Sequence, residues 1–85
     1  MYRDIIIMGI MVDNRSTHGP EVQEVLTRYG SSILCRTGIP DPSRERGIIS
    51  LTMQADEQTR QSLQQDLQKV PGVKVNSIPL GDPLQ

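Results

Sequence analysis

The chain has 85 residues, a formal net charge of −1 and one cysteine. That length makes one domain with no room for a second. The near-zero charge supplies no field to draw the chain to nucleic acid or to an anionic membrane. A lone thiol excludes an internal disulfide and suits a reducing cytoplasm.

The first strand is Ile5-Ile6-Ile7-Met8-Gly9-Ile10-Met11-Val12. It is apolar in both period-two phases, the pattern of a strand covered on both faces. The run is far shorter than the roughly 20 apolar residues that span a bilayer. Met1-Tyr2-Arg3-Asp4 ahead of it lacks the small-residue cleavage site of a signal peptide. Asp13 to Thr17 then forms a polar turn. Val22, Val25, Leu26 and Tyr29 fall at i, i+3, i+4, i+7, one stripe of a helix. Ser16 or Thr17 is its expected cap, Pro20 suits its first turn and Gly30 its stop.

A second strand follows, with Ile33, Cys35, Thr37 and Ile39 in one phase and Leu34, Arg36 and Gly38 in the other. Pro40 to Gly47 reads as a polar connection, long for a tight hairpin and mobile. Ile48 to Gln54 is the third strand, with Ile49, Leu51 and Met53 in one phase. Asp56 caps a second helix whose stripe is Leu63, Leu67 and Val70, and Pro71-Gly72 stops it. Val73 and Val75 open a fourth strand. Ile78 and Leu80 continue it in the opposite phase, which predicts a bulge or an early strand end. Residues 1–80 form the domain and 81–85 a tail.

The order β-α-β-β-α-β predicts an α+β, ferredoxin-like sandwich: an antiparallel four-stranded sheet with two helices on one face. The first and third strands lie in the centre and the other face is bare. The doubly apolar first strand is where a second copy would cover it, and Ile6, Met8 and Ile10 are the candidate interface residues. Arg36, expected on the bare face if Ile33 and Cys35 face the helices, joins them as a rim residue or an anion contact. Cys35 is expected in the core.

Val12-Asp13-Asn14-Arg15, Ile33-Leu34-Cys35-Arg36-Thr37-Gly38-Ile39-Pro40 and Gly72-Val73-Lys74-Val75-Asn76 are similar to the family of iron-only hydrogenase system regulators. The resemblance covers nearly the whole chain, and Arg-x-Gly-Ile-Pro is its most specific element. That family is related in fold to ACT domains and to the C-terminal domain of nickel-responsive regulators. The resemblance implies an ACT-like, cytoplasmic ligand-sensing or assembly module acting as a homo-oligomer, a dimer or tetramer. Nickel-responsive regulators carry a His-x-His pair and a ribbon-helix-helix segment. This sequence has His18 alone and no such segment before Tyr2, so neither nickel sensing nor direct DNA reading carries over.

In ACT domains the loop after the first strand meets small ligands at a helix N-terminus. Here that loop offers Asp13, Asn14, Arg15, His18 and Gly19, with Arg36 as a further candidate. Exposed amides and the helix dipole there favour a small anionic metabolite. The competing reading makes Asp13 and Asn14 plain turn formers and Arg15 the partner of a nearby acid. His18 and Cys35 are too few for a metal centre within one chain, so no metal or other cofactor is expected. The strands lack the aromatics of an RNA-binding platform. No nucleophile–base–orienter set is present, so the chain is not expected to be an enzyme. The alternative to a sensor is an accessory protein that binds a partner through a sheet edge and has no small-molecule ligand.

Overall fold

The computed structural model describes residues 3–41, 43 and 45–81, with the backbone alone for Ser16. Its elements are β1 (Asp4–Val12), α1 (Arg15–Arg28), a short 3₁₀ turn (Gly30–Ser32), β2 (Ile33–Asp41), β3 (Arg46–Ala55), α2 (Glu57–Gln68) and β4 (Val73–Gly81). The strands form one antiparallel sheet in the order β2-β3-β1-β4. This is the ferredoxin-like plan, with β1 and β3 central as the pattern predicts.

Side chains alternate across a strand, so the register assigns each residue to a face. Ile6, Met8, Ile10 and Val12 of β1 lie beside Leu51, Met53 and Ala55 of β3, and α1 and α2 close over them with Val22, Val25, Leu26, Leu63 and Leu67. Ile6, Met8 and Ile10 are 1%, 0% and 1% exposed. These three residues therefore belong to the core beneath the helices, and the expectation that they form an intermolecular interface is corrected. The other phase of β1, Ile5, Ile7, Gly9 and Met11, faces away from the helices. A sequence apolar in both phases does not reveal which phase faces inward.

The helix boundaries follow local chemistry. Asp56 caps α2, its carboxylate accepting from the Thr59 amide at 2.7 Å. That bond is the main reason its carboxyl titrates below the usual aspartate range, aided by the Thr59 hydroxyl. α1 begins earlier than expected, with Asn14 at its N-cap in the left-handed region (φ 50°) and no side-chain cap. Pro20 thus falls beyond the first turn. Gly72 closes the turn after α2 at φ 77° and packs against Asp13, where a Cβ would lie 3.3 Å from Asp13 Cβ.

Four further expectations change. The polar connection is shorter than read: β2 continues to Asp41 and β3 begins at Arg46, opposite it. Pro42 and Arg44, which that reading included, lie outside the described residues, as do Met1, Tyr2 and residues 82–85 of the expected tail. Gly81 belongs to β4. Ile78 is not displaced by a bulge; it sits on the open face opposite Ile7, and the register shift comes later, at Leu80.

The last change concerns β2. Its register shifts between Ile33 and Cys35, so Leu34 is a bulge. Beyond the bulge the faces invert. Arg36 and Gly38 pair with Leu51 and Ile49 on the helix side, while Cys35, Thr37 and Ile39 lie with Thr52, Ser50 and Ile48 on the open side. Cys35 is exposed and not part of the core. Arg36 leaves the bare face to which the unbroken alternation assigned it.

Candidate functional site

The chain presents two features with functional potential: a seam between α1 and the β2–β3 hairpin, and the open face of the sheet. The seam begins at the turn after β1. The Asp13 amide donates to the Gly72 carbonyl at 2.9 Å and the Arg15 amide to the Glu45 carbonyl at 2.7 Å. The amides of Thr17 and His18 both donate to the Asn14 carbonyl, at 2.9 and 3.0 Å. The helix start thus has its amides largely engaged within the chain. What it offers a ligand is side-chain chemistry, above all Arg15.

The Arg15 stem lies over two glycines. A Cβ at Gly47 would sit 2.9 Å from Arg15 Cδ, and one at Gly19 3.7 Å from Arg15 Cγ. Gly47, on the buried side of β3, leaves room for the methylenes while the residue as a whole remains exposed. Among the described residues Arg15 forms no salt bridge. It borders a hollow of about 260 Å³ whose walls include Gln23, Pro40 and Ile49.

Arg36 reaches this seam through α1: its guanidinium donates to the Gln23 carboxamide. The structure therefore brings Arg15 and Arg36 to one seam, with Gln23 shared between hollow and hydrogen bond. His18 is turned elsewhere, its Nδ1 3.5 Å from a Glu21 carboxylate oxygen. Asp13 and Asn14 shape the turn. A second hollow of about 380 Å³ continues along β2 past Arg36, lined by Leu26, Ile33 and Leu34. Sequence reasoning missed Gln23, Gly38 and Ile49 here; their convergence depends on the bulge at Leu34, which no residue type announces.

The open face carries isoleucines among polar residues, with Thr37, Ser50, Thr52 and Asn76 in the same phase. Ile7, Ile39, Ile48 and Ile78 are 38%, 65%, 41% and 63% exposed and lie on this one side by register. Gly9, on the central strand between Ser50 and Asn76, has open space where a Cβ would be. The charges of this face are Lys74 and, at the hairpin end, the Arg46–Asp41 pair at 3.3 Å. The Ser43 hydroxyl, donating to Asp41, does most to hold that carboxyl below the ordinary range, and Arg46 adds to the effect. The helical surface, by contrast, carries the Arg60–Glu57 and Lys69–Asp66 ion pairs at α2.

No group of three or more His, Cys, Asp or Glu side chains is placed to hold a metal ion among the described residues. No helix is long and apolar enough to cross a membrane.

The chain is a ferredoxin-like sandwich with one bare sheet face and a basic seam beside its first helix. The family model "TM1266-like: Iron-only hydrogenase system regulator, putative" matches residues 4–77, and the chain belongs to that family. The solved structure of the uncharacterized protein TM1266 from Thermotoga maritima is similar over 93% of this chain and 99% of that one, at 30% identity and a TM-score of 0.89. Two more distant structures share the fold alone. One is CPII, a nitrogen regulatory PII-like protein from Thiomonas intermedia K12, with 19% identity, 96% and 94% coverage and a TM-score of 0.55. The other is a formyltetrahydrofolate deformylase from Pseudomonas putida KT2440, with 13% identity and a TM-score of 0.62, matched over 87% of this chain and 28% of that one. No curated protein sequence matches.

Proposed function

We propose that this chain is a cytoplasmic, non-catalytic regulatory module of an iron-only hydrogenase system, working as a homo-oligomer that responds to a small anionic metabolite. The observation that carries the reading is the open sheet face. It exposes Ile7 opposite Ile78 and Ile39 opposite Ile48, and the charges described on it lie toward one end. Monomeric domains seldom leave such a face bare. A second copy laid on it buries the phase of β1 that the helices leave uncovered and makes a dimer, and a second contact of the same kind makes a tetramer.

The ligand site in this reading is the seam from Asp13 to Gly19, with Arg15 as the anion contact and Arg36 behind Gln23. A guanidinium with fork geometry and no carboxylate partner among the described residues suits a carboxylate or phosphate. The fold accommodates such ligands in at least one other protein: the PII-like neighbour is bound to ADP, AMP and bicarbonate. The hollow is shallow in one protomer, so a neighbouring subunit completes it, and occupation then favours one oligomeric arrangement through its higher affinity for that state.

Light scattering across micromolar concentrations tests the association; a strict monomer throughout removes the reading. A thermal-shift screen with amino acids, nucleotides and divalent metals tests the ligand. A hit is expected to weaken in Arg15→Ala. An affinity unchanged by Arg15→Ala and by substitutions at Asp13 and His18 moves the site elsewhere.

A further inference from the structure

The most exposed element of the molecule is β2. It pairs only with β3, so one of its edges is free. None of its nine residues is buried. α1 packs on β1 and on α2, and α2 packs on β4, so the helical layer leaves β2 largely uncovered. The strand is thus thinly covered on its helix side, where Ile33 and Arg36 make the contacts, and open on its other face and along its edge.

Free edges are usually blunted by charge, proline or a bulge. At the other edge, β4 carries Lys74, Pro79 and the irregularity at Leu80, and α2 covers one of its faces. On β2 the bulge at Leu34 and Pro40 protect only the two ends. Cys35 to Ile39 remains between them as a five-residue stretch of regular strand. Its one charged residue, Arg36, is held inward by Gln23 rather than projecting from the edge.

Along this stretch run the two hollows, about 260 and 380 Å³, one on each side of Arg36, lined from α1 and from both faces of the strand edge. Their walls include Leu26, Ile33 and Ile49, and among the described residues the charged ones that line them are Arg15 and Arg36. Both are cations, and neither is salt-bridged among the described residues.

We propose that β2 is the acceptor for an extended segment of another protein. The segment adds to the sheet beside Cys35–Ile39 and carries apolar residues at alternate positions with a carboxylate among them. Backbone hydrogen bonds along the edge supply affinity that does not depend on sequence, while pockets for alternate side chains supply selectivity. Apolar side chains on the inner side of the added strand enter the two hollows against α1. A carboxylate between them reaches Arg36 or Arg15. The charge of the hollows also disfavours a second copy of β2 as the occupant. Antiparallel self-pairing centred on Thr37 makes the two Arg36 side chains diagonal neighbours on one face, and pairing centred on Arg36 sets them directly opposite. Like charges in those positions are destabilising. The backbone edge and the contacts to α1 are distinct from the open face that carries the proposed self-association, to which β2 contributes Ile39, so Ile78→Asp and Arg36→Glu test the two separately.

The test is to pan a random linear peptide library against the full chain and follow the selected peptides by NMR. The expected consensus alternates apolar residues and contains Asp or Glu. Peptide addition should slow amide exchange in Cys35–Ile39 and shift the resonances of Leu26 and Ile49. Arg36→Glu should weaken the selected peptides about fivefold, the value of a rim ion pair. Repeating the selection on Arg36→Glu should replace acidic residues in the consensus by Lys or Arg. A basic consensus on the native chain, perturbations confined to the open face, or failure to select any peptide overturns the proposal. So does protection of Cys35–Ile39 that rises with protein concentration without peptide, which would assign the edge to a second copy.

Discussion

Substituting aspartate in the two phases of the sheet distinguishes the core from the proposed interface. Ile78 is 63% exposed on the open face. Full burial of an isoleucine side chain contributes about 1.5–3 kcal/mol, so covering the exposed part contributes about 1–2 kcal/mol per protomer. A two-fold interface counts this twice, giving about 2–4 kcal/mol per dimer. Ile78→Asp is therefore expected to raise the dimer dissociation constant by about 30- to 800-fold, with the unpaired carboxylate adding to the effect. The monomer fold should persist, because the side chain makes no part of the core. Ile10→Asp has the opposite signature. Ile10 is buried under the helices, where truncation alone costs about 2–5 kcal/mol and a buried carboxylate costs more. Against a total stability of roughly 5–15 kcal/mol, that variant should be largely unfolded. Sedimentation equilibrium and thermal melts on both variants check the pair. An Ile78→Asp protein that associates as tightly as the parent refutes the interface argument, and a cooperatively folded Ile10→Asp protein refutes the phase assignment.

Tyr29→Phe removes the hydroxyl that donates to Asp66 at 2.7 Å and joins the two helices; a loss of about 0.5–1.5 kcal/mol is expected by denaturant titration at neutral pH. Burial, reinforced by that bond, raises the phenol's pKa above its ordinary value of 10.0. The stabilisation is thus fully present below that value and disappears as pH rises through the folded one, so parent and Tyr29→Phe melts should converge in strong alkali. The Asp56 carboxyl is shifted downward, so its contribution is present above the ordinary range and disappears as pH falls through the lowered value. Asp56→Ala should lower stability at neutral pH and flatten its acid dependence below about pH 4, read by melts across that range. Gly72→Ala forces a Cβ into a left-handed conformation against Asp13 and should cost about 1–2 kcal/mol.

The element order, the central strands and the caps at Asp56 and Gly72 were legible because local chemistry alone sets them. The faces of the sheet were legible only where one phase is polar. β3 alternates cleanly, and Ile49, Leu51 and Met53 turn inward as its pattern predicts. β1 is apolar in both phases, so only the packed helices show that Ile6, Met8 and Ile10 belong beneath them. β2 was misread for a different reason. A bulge adds one residue without any required residue type, and Leu34 resembles any strand leucine. Every assignment beyond it inverted, moving Cys35 out of the core and Arg36 onto the seam with Arg15. The hydrogen bonding of the candidate loop was not legible, because the acceptors of its amides, Glu45 and Gly72, come from remote parts of the chain.

Those two acceptors bear on the order of assembly. The turn from Asp13 to Arg15 is held by a carbonyl about thirty residues downstream and another nearly sixty downstream. The start of α1 therefore cannot reach its final hydrogen bonding until the β2–β3 hairpin has formed and the chain has returned through Gly72. Closing so long a loop carries an entropic cost that is met late in folding. The Asp13 and Arg15 amides should consequently exchange with solvent only through openings that also release the hairpin or the start of β4. This short turn links three distant stretches of the chain, and its exchange rate reports on whether all three are in place.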